Sequence, residues 1–182
     1  IDKDLTNSFQ KLIIDDYYEC IETFYNYYKR VINHTIISKI LVHTYSPQCV
    51  ITILNLFSDI ININETTRHN DNVLMLLLLN RDSDEEKICD CIDILHENFY
   101  YTFKVNIVNT YKYNAIMIAA RHGYAECIHI LYKYYGDQFD INITNLRQHN
   151  ALILAVNNNH PNCIQMLYDC FGDEINIDQV DY

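Results

Sequence analysis

Five cysteines along the chain lie in the same local sequence pattern, and this repeat limits the possible folds more than any other feature. Its spacings are 29, 42, 36 and 36 residues, for Cys20, Cys49, Cys91, Cys127 and Cys163. Ile or Val follows each cysteine, and another apolar side chain lies four residues after it. Positions i, i+1 and i+4 share one face of an α-helix. The pattern therefore predicts five helices that bury the same stripe.

We call each stretch that contains one of these cysteines a unit, and each position that recurs among the units a column. A second column lies thirteen residues before the cysteine in four units. In the third unit it lies six residues further upstream. It holds Asn7, Ile36, Asn72, Asn114 and Asn150. Short apolar segments, 115–120 and 151–156, follow the last two. Asn is a favoured N-cap because its side-chain oxygen accepts a hydrogen bond from an unpaired backbone N–H. We therefore expect each unit to be a helix, a turn and a second helix.

A third column marks the connectors between units. It holds Ile63-Asn64, Val105-Asn106, Ile141-Asn142 and Ile177-Asp178. The surrounding segments alternate polar and apolar residues, which predicts short β-hairpins. Together the columns predict an all-α repeat solenoid that forms a single domain. Its units lie near 7–35, 36–71, 72–113, 114–149 and 150–182.

The segments NALILAV (150–156) and NHPNCIQML (159–167) resemble an ankyrin repeat. That family has the pattern TPLHxAA, then GH, an apolar outer helix and a hairpin start that Asp140-Ile141-Asn142 matches. The resemblance implies about five helix-turn-helix units with short β-hairpin connectors. The chain departs from the pattern where the hairpin Gly becomes Lys112 or Gln148. This departure predicts hairpin tips that are more irregular than those of consensus repeats.

Composition excludes several classes of function. A net charge of −11 argues against extended contact with nucleic-acid phosphates. The longest apolar run, Val73–Leu79, is too short for a membrane span of about 20 residues. With only 3 glycines, the chain also has little material for a phosphate-binding loop. Because the chain begins with Ile, we expect it to be a fragment of a longer protein.

Cysteine and histidine give only weak signals for chemistry. Cys89 and Cys91 with His96 are the nearest approach to a metal site, but helical spacing points the two thiols to different faces. Side chains two residues apart on a helix, such as Cys127 and His129, diverge by about 200°. We therefore expect no metal, no cofactor, no catalytic residue and no enzymatic activity. Reduced thiols would place the protein in the cytoplasm or the nucleus.

An acidic insertion, residues 80–87, precedes the third cysteine of the column. Ser83 and Glu86 have the spacing of a capping box at a helix start. The alternative is an acidic knob that binds a basic partner. The capping interpretation is favoured, because runs of acidic residues are usually solvated helix faces.

The resemblance also implies a function, because partners of ankyrin-like arrays usually dock on the hairpins and the concave inner-helix surface. The residues at these positions are Arg68, His69, Asn70, Tyr111, Lys112, Tyr113, Arg121, His122, Arg147, Gln148, His149 and Asn157. We expect a scaffold or adaptor that binds another protein there. One alternative is a structural homo-oligomer built through the solenoid ends or the Tyr-rich first unit. The other is the recognition arm of an enzyme whose catalytic domain lies outside this chain.

Overall fold

The computed structural model describes residues 7–8, 11–12, 15, 17–28, 37, 46–80 and 84–176. Over these ranges the protein is helical and has no β-strand. Its eight α-helices there are α1 (Tyr18–Tyr28), α2 (Pro47–Phe57), α3 (Val73–Leu79), α4 (Glu85–Phe99), α5 (Ala115–His122), α6 (Ala125–Tyr135), α7 (Ala151–Asn157) and α8 (Pro161–Phe171). Short 3-10 turns follow α6 and α8. None of these helices is long and apolar enough to cross a membrane.

The helices form two layers, as the columns predict. The inner layer is α3, α5 and α7, and each inner helix packs on the next one. The outer layer is α1, α2, α4, α6 and α8, packed in the same serial order. The buried stripe lies between the layers and forms one core that continues from unit to unit. The inner helices predicted for the first two units fall largely outside the described residues.

Four of the five column cysteines lie in the core. Cys49, Cys91, Cys127 and Cys163 are completely buried, whereas Cys20 is exposed. The prediction that Cys20 belongs to the buried stripe was therefore wrong, although the next residue of α1, Ile21, is buried.

Cys89 and Cys91 point in opposite directions, as helical spacing predicts. The Cys91 thiol lies 3.5 Å from the Pro47 carbonyl oxygen of α2. The Cys89 sulfur lies 3.7 Å from the Cys127 sulfur of α6, and both thiols are free. Burial raises the pKa of Cys91 to about 12, and that of Cys163 likewise to about 12. The hydrogen bond with Cys89, and then burial, raise the pKa of Cys127. These thiols are neutral and pack as small apolar groups.

The asparagine caps of the inner helices are confirmed at three positions. The side-chain oxygens of Asn72, Asn114 and Asn150 accept the N–H of the third residue after them, at 3.0, 2.9 and 3.0 Å. Asn7 differs, because it is itself helical and does not precede the helix. Ile36 lies outside the described residues.

Left-handed residues end two inner helices. Gly123 follows α5 with a φ of 88°, and Asn159 occupies the equivalent place after α7 with a φ of 57°. A β-carbon at Gly123 would lie 2.8 Å from the His160 ring, which itself contacts the Arg121 carbonyl at 3.1 Å. Glycine is therefore required at 123 by both the backbone conformation and the neighbouring ring.

The acidic insertion caps two different helices. The Asp84 side chain accepts the Glu86 N–H at 3.1 Å, so Asp84 is the N-cap of α4. Ser83 of the predicted capping box lies outside the described residues, and the N-cap position belongs to Asp84. Glu85 reaches α6 of the next unit, where its Oε1 accepts the N–H groups of Glu126 and Cys127 at 2.9 and 3.2 Å. The residue before α6, Tyr124, provides no side-chain cap of its own.

Three connector asparagines join neighbouring units, and we call Asn64, Asn106 and Asn142 the asparagine ladder. The Asn64 amide donates to the Thr102 carbonyl at 2.6 Å, and its oxygen accepts the Lys104 N–H at 2.8 Å. Asn142 binds the next unit in the same way at 2.8 and 2.7 Å, and Asn106 makes the equivalent pair. Each ladder residue thus satisfies backbone groups of the following unit and sets its position.

Candidate partner-binding site

Three tight turns precede α3, α5 and α7, and we call residues 67–71, 109–113 and 145–149 the tips. In each tip the first and fifth residues, and the fourth and first, are joined by backbone hydrogen bonds of 2.8–3.0 Å. The fourth residue has a positive φ, which is 63° at Asn70, 60° at Lys112 and 61° at Gln148. The tips thus share one conformation, and the prediction of irregular tips was wrong. No tip contains a β-strand, so the β-hairpin form stays a prediction.

A side chain at the first position fixes each tip. The acceptor is the hydroxyl of Thr67 or the amide oxygen of Asn109 or Asn145. Each accepts the N–H groups of the third and fifth tip residues, at 2.8–3.2 Å. These bonds hold the turn without glycine at its fourth position. Sequence reasoning placed Thr67 in a tip but missed Asn109, Asn145 and the role of this position, although the three residues recur five positions before the asparagine caps.

Neighbouring tips are bonded to one another. The Thr110 N–H donates to the His69 carbonyl at 2.8 Å, and the Leu146 N–H donates to the Tyr111 carbonyl at 3.3 Å. The Asn70 amide adds a bond of 2.6 Å to the Val108 carbonyl. The three tips therefore form a continuous row along one edge of the molecule.

A cavity of about 460 Å³ lies between this row and the inner helices. It is lined by residues of all three tips together with α3 and α5. These are His69, Asp71, Leu79, Asn109, Tyr111, Tyr113, Ile118, Arg121, His122, Asn145, Leu146 and Arg147. A recess of about 290 Å³ between α5 and α7 shares Arg121 and His122 with it.

A comparison with known protein families identifies the family of this chain. The model of three ankyrin repeats matches residues 83–181, which is more than half of the chain. The chain belongs to the ankyrin-repeat family. A comparison with curated proteins finds no match. Ankyrin repeats generally mediate protein–protein interaction. The matched residues include α4 to α8 and the second and third ankyrin tips.

The structure brings together six of the twelve predicted binding residues. These six line the ankyrin cavity and are His69, Tyr111, Tyr113, Arg121, His122 and Arg147. The other six surround it without lining it. Arg68, Asn70, Lys112 and Gln148 are exposed at the ankyrin tips, His149 is half-buried beside Asn150, and Asn157 is exposed at the end of α7. Sequence reasoning missed Asp71, Asn109 and Asn145, three buried residues that also line the cavity.

The cations of the ankyrin edge fall into two groups. The Arg121 guanidinium lies 5.6 Å from the centre of the Tyr113 ring, a cation–π distance. Arg121 and Arg147 share the cavity. At the first tip the Arg68 guanidinium donates to the ring of His69, which lines the cavity, at 3.1 Å. Of the four Arg and Lys residues among the predicted binding residues, Arg121 and Arg147 therefore line the cavity, whereas Arg68 and Lys112 do not.

Proposed function

We propose that this chain is a single ankyrin-type domain of residues 1–182 with about five units. It acts as a scaffold or adaptor that binds another protein in the cytoplasm or nucleus. Contact is made by the tips and the concave surface of the inner helices. The observation that carries this proposal is the cavity. It lies where the bonded row of tips meets α5, and both aromatic and cationic side chains line it. Tyr and Arg are enriched at the centres of protein interfaces.

The state of the cysteines supports a binding role without catalysis. A nucleophilic cysteine needs a lowered pKa and access to substrate. Cys127 is buried and its pKa is raised, whereas His129, two residues further on, is exposed. Among the described residues, no group of three His, Cys, Asp or Glu is placed to hold a metal. We accordingly propose that the chain is no enzyme and uses neither metal nor cofactor, and that it does not bind nucleic acid directly.

Affinity capture from the native source, with mass spectrometry, identifies the partner. The variant that tests the edge replaces Arg68 and Arg147 with Glu. We expect it to weaken partner binding by at least about tenfold, because reversed charges repel an acidic surface. The melting temperature should change little, since both side chains are exposed.

The matched control is Lys87→Glu with Lys133→Glu, an equal change of charge at exposed residues of the outer helices α4 and α6. We expect it to leave partner affinity within about twofold, because the proposed contact does not reach those helices. Unchanged affinity in the Arg68→Glu, Arg147→Glu variant would contradict the proposal that the edge binds the partner.

A homo-oligomer is the second candidate, and one observation favours it. Tyr17 and Tyr27, in and beside α1, are 57% and 82% exposed. Exposed tyrosines bury a large area at interfaces with little loss of side-chain entropy. Native mass spectrometry distinguishes the candidates, because a stable dimer that Tyr27→Ser dissociates would support self-association. The full-length reading frame tests the third possibility, that the array is the recognition arm of an enzyme.

A further inference from the structure

We propose that the cavity behind the tips binds the side-chain carboxylate of an Asp or Glu within an extended segment of the partner protein. This inference rests on the proposed function and names the chemistry that the site recognises. A volume of about 460 Å³ suits a few residues of a peptide, because ligand pockets generally measure about 300–1,000 Å³.

Two guanidiniums at the cavity have no anionic partner. Arg121 is half-buried at the end of α5, and its guanidinium lies over the Tyr113 ring, 5.6 Å from the ring centre. Arg147 uses its backbone N–H to hold the third tip, and its side chain is exposed. In the part of the chain that the structure describes, neither forms an ion pair. Arginine binds carboxylates through two parallel hydrogen bonds, so both are available for this task.

The only carboxylate of the cavity lining is already engaged. Asp71 is 7% exposed, and its two oxygens accept hydrogen bonds from Asn109 at 2.9 Å and Thr67 at 3.2 Å. Two guanidiniums against one bonded carboxylate leave the lining cationic, without counting its histidines. The rest of the chain has the opposite sign, because the net charge is −11. An anionic ligand is therefore attracted to this position, although the chain as a whole repels it.

In the second tip the amide nitrogen of the asparagine has a hydrogen-bond acceptor, and in the third tip it has none among the described residues. The Asn109 amide nitrogen donates to the Asp71 carboxylate of the preceding tip. Asn145 holds its own tip in the same way, but Tyr113 occupies the position equivalent to Asp71. The Asn145 amide nitrogen is buried without a hydrogen-bond partner, in a residue 4% exposed that lines the cavity. A ligand carboxylate seated beside Tyr113 supplies the missing acceptor.

Apolar side chains flank this position. Leu146 is 62% exposed on the third tip, and Leu79 is 36% exposed at the end of α3. Ile118 of α5 forms part of the cavity wall beside them. A segment that places its carboxylate between Arg121 and Arg147 therefore meets apolar surface on either side. We infer that the recognised segment has an apolar residue adjacent to its Asp or Glu.

The test is a selection from random twelve-residue peptides displayed on phage, with the whole chain as the target. The selected peptides should share an Asp or Glu beside an apolar residue. For a synthetic peptide from this set, Arg121→Gln and Arg147→Gln should each raise Kd by about tenfold or more, and so should the amide form of the peptide's acidic residue. When the carboxylate is already replaced, Arg121→Gln should add little, because the two changes remove the same contact.

The control is Lys87→Gln, which removes a cation from the exposed face of the outer helix α4 and does not touch the cavity lining. It should change Kd by less than about twofold, and the three protein variants should melt at the wild-type temperature. Selected peptides without a shared acidic residue, binding that ignores both cavity arginines, or a selection that yields no peptide would each overturn the inference. Loss of natural-partner binding in the Arg68→Glu, Arg147→Glu variant would then still uphold the proposed function.

Discussion

At the scale of single residues, the tips hold a backbone conformation that glycine adopts at lower cost. Left-handed φ costs a residue with a β-carbon about 1–2 kcal/mol, and asparagine tolerates it best. Asn70, Lys112 and Gln148 nevertheless keep values of 60–63°. The side chains of Thr67, Asn109 and Asn145 supply the compensation, because each accepts two backbone N–H groups of its tip. The tips are therefore regular but strained.

This strain predicts that Lys112→Gly stabilises the protein. Glycine relieves the left-handed penalty but loses about 0.5–1 kcal/mol through the greater freedom of the unfolded chain. We expect a net gain of about 0.5–1 kcal/mol in the free energy of unfolding, measured by urea denaturation. Asn70→Gly is the comparison and should gain less. An equal or larger gain at Asn70 would show that strain is not the cause.

The buried thiols predict loss of stability in alkali. The pKa of Cys91 and of Cys163 rises from 9.0 to about 12 in the folded protein. Between these values the unfolded chain releases protons that the folded chain retains, so the free energy of unfolding falls as pH rises. The fall is at most about 1.4 kcal/mol per pH unit for each thiol.

Thermal melts at intervals from pH 9 to 11 measure this slope. Cys163→Ala should make this slope shallower by the contribution of about one proton, whatever stability the substitution costs at neutral pH. Cys20→Ala removes an exposed thiol and should leave the slope as it is. Parallel slopes for wild type and Cys163→Ala would show that ionisation of this buried thiol does not contribute.

At the scale of helices, several elements are completed by the neighbouring unit. The first turn of α6 has no cap from its own preceding residue, and Glu85 of α4 accepts two of its N–H groups. A carboxylate at this place also has a favourable interaction with the positive end of the helix dipole. The asparagine ladder likewise bonds each connector to backbone groups of the following unit. The first turn of α6 is thus fully bonded only when the unit before it is in place.

Removal of the Glu85 carboxylate should therefore destabilise the unit after it. We expect Glu85→Ala to lower the free energy of unfolding by about 1–2 kcal/mol, as for other helix caps. Glu86→Ala, in the same turn of α4 but exposed and without a bond to α6, should cost less than about 0.5 kcal/mol. Urea denaturation measures both. Equal costs would mean that Glu85 acts only on the dipole of its own helix.

The sequence predicts the helices and their caps better than it predicts the contacts between neighbouring units. The stripe at Cys127 and Leu131 and the caps at Asn114 and Asn150 depend on contacts within one unit, which regular spacing reveals. The bond from Glu85 to α6 and the contact of Cys89 with Cys127 depend on how two units are placed against each other. For the same reason, only six of the twelve predicted binding residues line the cavity. The positions of the tips repeat along the sequence, but how deeply each side chain is buried does not.

At the scale of the whole molecule, stability is shared between neighbours because the core is continuous. Leu131 of α6 is completely buried, and α6 packs against both α4 and α8. Leu131→Ala should lower the free energy of unfolding by about 2–5 kcal/mol. Hydrogen exchange should lose protection in α4 and α8 as well as in α6.

The surface counterpart is Tyr168→Ala on α8, which removes a side chain that is 64% exposed. It should cost less than about 0.5 kcal/mol and leave protection in α6 unchanged. A cost below about 1 kcal/mol for Leu131→Ala, or exchange confined to α6, would contradict a shared core.

The asparagine ladder also determines how such a chain can grow. Asn106 and Asn142 stand 36 residues apart, and the backbone groups that they bind have the same separation. A tandem duplication of one 36-residue stretch would carry a new ladder asparagine together with main-chain partners for it, whatever side chains lie there. A duplication of part of a unit would separate an asparagine from its partners. In evolution, this joint permits the array to lengthen by whole units and opposes lengthening by fractions of one.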